Sequence, residues 1–291
     1  MFFVSKMSDI NWSLLSSRVR WHRFLIALEK VEDLTAGQYF MIKGFAALFF
    51  YPINENRSFA DFDFVVDPSF FQHSIKDRFQ RLSAYNIDVH FGIRDLDRLP
   101  WKELFDRCRV IEIEGTHVRV PCPEDHLRIM AVHWLTDGGE YKERLWDIYY
   151  AVANRPADFD WNKCLDVVSP TRRKWVITTI GLANKYLGLE IDDLPFADEA
   201  KDIPKWIIKT VEREWAREVR LIPLRIAYRK PRMLIEQIRK RLPPNPITAT
   251  IDMEGEFDDR PRIWYQLGSI AKRIPPSLRR FVDLAKARLR R

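Results

Sequence analysis

Asp61-Phe62-Asp63-Phe64-Val65-Val66 sets carboxylates against bulky apolar side chains in alternation, and a β-strand, whose successive side chains point to opposite faces, is the element that fits a period of two. Phe62, Phe64 and Val66 fall on one face and Asp61, Asp63 and Val65 on the other, which predicts a half-buried strand over 59–66. Upstream, Tyr39 to Ile42 reads as a short strand ending at Lys43-Gly44, where glycine permits a tight turn. Phe45 to Phe50 reads as a brief helix closed by Tyr51-Pro52, and Asn54 to Ser58 as a loop. Downstream, Asp67-Pro68 opens a predicted helix to about Ala84. A second alternating segment, Asn86 to Ile93, sets Asp88, His90 and Gly92 opposite Ile87, Val89 and Phe91. Strands are also expected at 108–114 and 117–120, and the periodic apolar positions from Trp12 to about Val31 predict an amphipathic opening helix.

After Pro123 the pattern turns helical, with helices expected at 124–135, 141–153, 161–168 and 171–187. The stretch 188–204 reads as acidic and irregular, ahead of helices at 206–222 and 232–242, a loop over 243–262 and a basic helix over 276–291. The expected fold class is α+β: a small mixed sheet with flanking helices over 1–122, a helical domain over 123–200 that covers the cleft, and a basic, mainly helical region over 201–291.

The chain has 291 residues, 46% of them apolar, enough for a substantial core. Its formal net charge of +7 is unevenly placed: residues 1–200 carry 25 basic and 30 acidic side chains, residues 201–291 carry 23 and 11. A basic appendage of this kind suits an anionic surface. Cys108, Cys122 and Cys164 match neither a disulfide ladder nor a zinc knuckle, which predicts a reducing, cytoplasmic setting. The longest apolar run, Gly44 to Tyr51, is shorter than the roughly 20 residues of a spanning helix, so no transmembrane segment is expected. The opening MFFVSKMSD lacks the apolar core and small-residue cleavage site of a secretory signal.

Asp61 and Asp63, two apart on one strand, project to the same face, and Asp88 on a neighbouring strand would add a third carboxylate. Like charges so arranged repel unless a cation lies among them. Oxygen ligands suit Mg²⁺ or Mn²⁺, which bridge carboxylates to nucleotide phosphates and assist hydroxyl attack and pyrophosphate departure. Lys43-Gly44, between a strand and a helix, offers backbone N–H groups and a charge to phosphate, and Arg57 could add a guanidinium.

The order of Lys43-Gly44, Tyr51-Pro52, Arg57, Asp61-Phe62-Asp63 and Ile87-Asp88-Val89-His90 resembles the uncharacterised bacterial nucleotidyltransferases of the polymerase-beta-like superfamily. The resemblance continues through Pro121-Cys122-Pro123-Glu124-Asp125, the helix with His133, Arg144-Leu145-Trp146-Asp147 and Asp160-Trp161, covering about residues 20–190. It implies that Asp61, Asp63 and Asp88 are catalytic metal ligands, that Gly44 marks the phosphate turn, and that Lys142 or Arg144 contacts the triphosphate. Phe45 stands where the superfamily usually has Gly or Ser.

The function expected is Mg²⁺- or Mn²⁺-dependent transfer of an NMP from an NTP, ATP included, to an acceptor among small molecules, glycan precursors, proteins and RNA. A sugar-nucleotide glycosyltransferase is one alternative, because Asp-x-Asp also holds metal on a diphosphate. A degenerate nucleotide-binding protein is another, motivated by Phe45. His90 is a candidate accessory group on the Asp88 face, whereas His126 and His133 read as packing or surface residues. The basic carboxy-terminal region, with Leu, Ile, Tyr and Trp among its Arg and Lys residues, is expected to dock on an anionic surface, at the inner membrane face in a cytoplasmic protein.

Overall fold

The computed structural model describes residues 12–52, 55, 57, 61–70, 79, 82–93, 99–113, 115–217, 219 and 230–273. The chain is α+β and divides into two compact units, Met1–His126 and Leu127–Arg291.

The first unit is built on α1 (Trp12–Thr35), β1 (Tyr39–Ile42), α2 (Lys43–Ala47), β2 (Phe62–Val66), β3 (Ile87–Phe91), α3 (Trp101–Arg107), β4 (Arg109–Ile113) and β5 (Thr116–Val120). The order in the main sheet is β1-β2-β3, with β1 antiparallel and β3 parallel to β2. Strands β4 and β5 form an antiparallel hairpin turning at Gly115, whose φ is +77°. Phe62, Phe64 and Val66 join Phe24, Ala27 and Val31 of α1 in one apolar core, which Val118 and Val120 of β5 extend. Phe24 stacks on Phe45 with ring centroids 4.3 Å apart, so Phe45 is a core residue of α2.

Strand β2 is buried along its whole length, not half-buried as its alternation predicts. Its second face, which carries Asp63, is covered too: Val65 registers with Phe40, whose ring stacks on Trp101 of α3 at 5.3 Å. The helix expected over 67–84 lies largely outside the described residues, where short helical turns stand at Pro68–Phe70 and Leu82–Tyr85.

The helix α4 (Pro123–Thr136) carries the boundary between the units, and the second unit continues with α5 (Leu145–Ala153), α6 (Trp161–Leu165) and α7 (Pro170–Leu187). The sequence punctuates α7 at both ends: Ser169 Oγ accepts from the Arg172 amide, Pro170 occupies the first turn, and Gly188 closes it at φ +72°. Next come α8 (Ala197–Lys201), α9 (Lys205–Trp215), α10 (Pro231–Arg241), α11 (Pro246–Asp252) and α12 (263–273). The stretches 188–204 and 243–262 therefore each contain a short helix that the sequence reading leaves out. For α11 the missed signal is Asn245-Pro246, because Asn245 Oδ1 accepts from the Ile247 and Thr248 amides and the proline fits the first turn. Indole N–H groups of Trp175 and Trp206 tie the loop after α11 to the helices by donating to Gly255 and Asp258 carbonyls. No helix among the described residues is long and apolar enough to cross a membrane. The expected helix over 276–291 lies outside the described residues.

Candidate metal centre

The end of β1 and the starts of β2 and β3 meet at one register line, where Ile42 pairs with Asp63 and Asp63 with Asp88. Two acids of adjacent strands are thus brought side by side, and His90, two residues beyond Asp88, shares its face. One ligand atom from each of Asp63, Asp88 and His90 lies within 4.8 Å of the others. His90 Nε2 is 3.1 Å from Asp63 Oδ1 and 3.6 Å from Asp88 Oδ2. Asp63 is buried while Asp88 is exposed, so the group runs from the protein interior to solvent.

Asp61 is exposed and sits in the bend one residue before β2, so the intimate group is two carboxylates and an imidazole, and Asp61 is not part of it. His90 enters it because the parallel β2–β3 register sets it beside Val65, within reach of Asp63. The donor set fits a divalent cation: carboxylate oxygens suit Mg²⁺ and Mn²⁺, and one imidazole nitrogen favours Mn²⁺ over Mg²⁺.

Lys43 completes the centre from the other side. Its Nζ lies 2.6 Å from Asp63 Oδ1 and 3.3 Å from His90 Nε2, and the residue is buried. Nε2 of His90 can donate to Asp63 or accept from Lys43, not both at once. Burial alone would raise the Asp63 pKa, but the His90 hydrogen bond and the Lys43 charge outweigh it and pull the carboxyl down to about 2. Asp63 is therefore held as a carboxylate in an otherwise apolar layer.

The turn that positions Lys43 differs from the sequence expectation. The left-handed residue is Lys43 itself, at φ +53°, while Gly44 is not among the positive-φ glycines. A side chain in that region costs about 1–2 kcal/mol, and two contacts hold it there: the Asp63 ion pair and a hydrogen bond from the Lys43 amide to Nε2 of His126, 3.0 Å. His126 stands in the first turns of α4, fully buried, with its ring 5.4 Å from Phe50. Burial, with the charge of Arg57 adding to it, lowers the His126 pKa to about 3, so the ring is neutral and its Nε2 is an acceptor. His126 is buried as the packing reading expects, yet that reading misses its contact with Lys43, which spans 83 positions of sequence.

Gly44 lies in α2, buried beside Lys43, and Arg57 is half-buried near enough to His126 to influence its charge. Lys142 and Arg144 lie in the second unit, where Arg144 Nη1 pairs with Asp137 Oδ2 at 2.6 Å and Lys142 stands over the Trp215 ring.

Residues 70–188 match the family model described as uncharacterised nucleotidyltransferase. The resemblance read from the sequence is thus borne out over that range, which is similar to this nucleotidyltransferase family. The match takes in Asp88, His90 and His126 and begins beyond Lys43 and Asp63, which join the centre through the sheet register. Comparison with curated proteins and with solved structures gives no match.

Proposed function

We propose that this protein transfers a nucleoside monophosphate from an NTP to an acceptor hydroxyl or phosphate, with release of pyrophosphate. The juxtaposition of Asp63, Asp88 and His90 within 4.8 Å carries the reading, and the nucleotidyltransferase match over residues 70–188 supports it. Asp63, Asp88 and His90 would hold Mn²⁺ or Mg²⁺, with Asp61, just ahead of β2, as a further carboxylate. When bound, such an ion supplies charge neutralisation at the phosphates and a lowered hydroxyl pKa. The chain's own part is to keep Asp63 ionised, to aim Asp88 from an exposed strand position toward the acceptor, and to present Lys43 and the α2 turn to phosphate. Phe45 takes part in core packing, which accounts for an aromatic residue after Gly44 without loss of the acidic group.

The test is incubation of the protein with each labelled NTP, Mg²⁺ or Mn²⁺ and a cell extract, followed by identification of the labelled product and of pyrophosphate. Release of UDP or GDP in place of pyrophosphate would assign the protein to glycosyl transfer, and NTP binding without product would make it a nucleotide-binding protein only.

For the basic carboxy-terminal region, we infer docking on an anionic membrane surface. Helix α10 exposes Ile235 and Ile238, followed by Leu242, while Arg232 and Arg239 are exposed on the same helix. Co-sedimentation with vesicles containing acidic lipid, weakening as salt rises, is the expected result; binding to RNA but not to vesicles would replace the membrane with nucleic acid.

A further inference from the structure

We propose that Lys43 is a tethered counter-ion that holds the seat of the metal, so that cation entry and Lys43 withdrawal are one event. This rests on the metal centre read above and adds a property of the chain's own residues. The Lys43 ammonium is 2.6 Å from Asp63 Oδ1 and 3.3 Å from His90 Nε2, so it directly contacts two of the three donors that would surround the ion. A divalent cation bound to those same atoms and an ammonium at those distances repel each other and compete for the same lone pairs. The lysine is placed there by its backbone: φ of +53° at a residue with a side chain is upheld by the His126 acceptor on its amide and by the Asp63 pair at its tip. When the tip contact is lost the His126 contact remains, so the backbone stays anchored while the four-carbon stem is free to swing. The released ammonium is then a mobile positive charge at the edge of the acidic group, suited to an anionic oxygen of the triphosphate or of departing pyrophosphate. Without a cation the His90 hydrogen bond and the same lysine together keep buried Asp63 charged, and the ion pair spares the fold the cost of an unpaired carboxylate.

The experiment is titration of the protein with Mn²⁺ alone, followed by calorimetry and by the electron paramagnetic resonance signal of free Mn²⁺, for the native chain, Lys43→Met, Lys43→Gln and Asp63→Asn. Removal of the competing ammonium should tighten Mn²⁺ binding by about ten-fold in both Lys43 variants, and Asp63→Asn should abolish it. Equal or weaker binding by folded Lys43 variants, with Asp63→Asn still defective, overturns the counter-ion role and leaves the metal centre standing. Absence of Mn²⁺ binding in all four proteins overturns the metal centre and this role with it.

A measurement on the native chain guards against misfolded variants: amine acylation read by mass spectrometry. Lys43, buried and paired, should react slowly, and saturating Mn²⁺ should raise its rate by about ten-fold while surface lysines keep theirs. An unchanged Lys43 rate under saturating Mn²⁺ refutes the withdrawal.

Discussion

His126 makes the first unit acid-sensitive well above the range in which carboxylates titrate. In the fold its ring is buried and neutral, with a pKa lowered from 6.5 to about 3 by burial first and by the Arg57 charge second. The unfolded chain therefore binds a proton that the folded chain refuses throughout the interval between those values. Stability from this group is complete above the unfolded pKa and declines as pH falls toward the folded one. From pH 7.5 to pH 5 the loss works out to about 2 kcal/mol, a factor of roughly 30 in the folding equilibrium. Asp63 does not confound that interval, since its own proton uptake lies between 3.8 and about 2. The assay is native-state hydrogen exchange of the β2 amides, which reports opening of the first unit separately from the second. The comparison is His126→Gln, whose amide oxygen can accept from the Lys43 N–H but does not titrate. The native protein should lose its protection steeply between pH 7.5 and pH 5 and the variant should not. Equal pH slopes in the two proteins would refute the buried neutral ring and with it the account of how Lys43 is held.

Asp63→Asn, Asp88→Asn and Asp61→Asn should each lower Mg²⁺-dependent pyrophosphate release by about 100-fold or more, with retained circular dichroism, because each removes charge that balances the cation; full turnover in Asp63→Asn would exclude the mechanism. His90→Asn replaces nitrogen by oxygen among the donors, so the ratio of Mn²⁺- to Mg²⁺-supported rate should fall by about five- to ten-fold, and an unchanged ratio would remove His90 from the metal. Lys142→Ala combined with Arg144→Ala tests the phosphate role implied by the resemblance: KM for the NTP should rise several-fold, whereas unaltered KM would confine these residues to their contacts with Trp215 and Asp137. Gly181→Ala should destabilise the second unit by about 3 kcal/mol in urea unfolding, since a Cβ on α7 would stand 1.9 Å from the Ala200 carbonyl oxygen of α8, and a neutral effect would show that these helices separate freely.

The strands were legible because alternation is a local signal: segments of mixed aromatic and acidic residues at 61–66 and 87–91 meet the β period without reference to anything distant. Asp63 and Asp88 were legible for the same reason, as acids on alternating strands. What alternation cannot state is the register. Setting Asp63 opposite Asp88 carries His90 into reach and leaves Asp61 in the bend before the strand, and a slip of one residue would have turned the acids to the other face. Burial of the second face of β2 depends on Trp101 meeting Phe40 across 61 positions, so a pattern that looks half-buried becomes wholly buried. The short helix at 246–252 shows a different limit, since Asn245-Pro246 is readable as a helix start but the apolar period that would confirm it lasts under two turns.

Lys43 and His126 explain why the centre needs more than acids. Asp63 lies in a layer where a carboxylate without a cation would be too costly to keep ionised, and its ionisation is what makes it a ligand. A lone lysine can neutralise only one of the two acids, so Asp63 and Asp88 with Lys43 in place retain a net negative charge that continues to attract a cation from the exposed Asp88 side. A divalent charge balances both carboxylates, and at that point the ammonium is surplus at the one place where phosphate oxygens are expected. The left-handed turn at Lys43 and the neutrality of His126 belong together: a cationic His126 would have no lone pair for the Lys43 amide, and a relaxed backbone would lose the fixed hold on the lysine. The buried imidazole therefore acts on the acidic group only through the lysine whose backbone it anchors, and it touches none of the carboxylates itself.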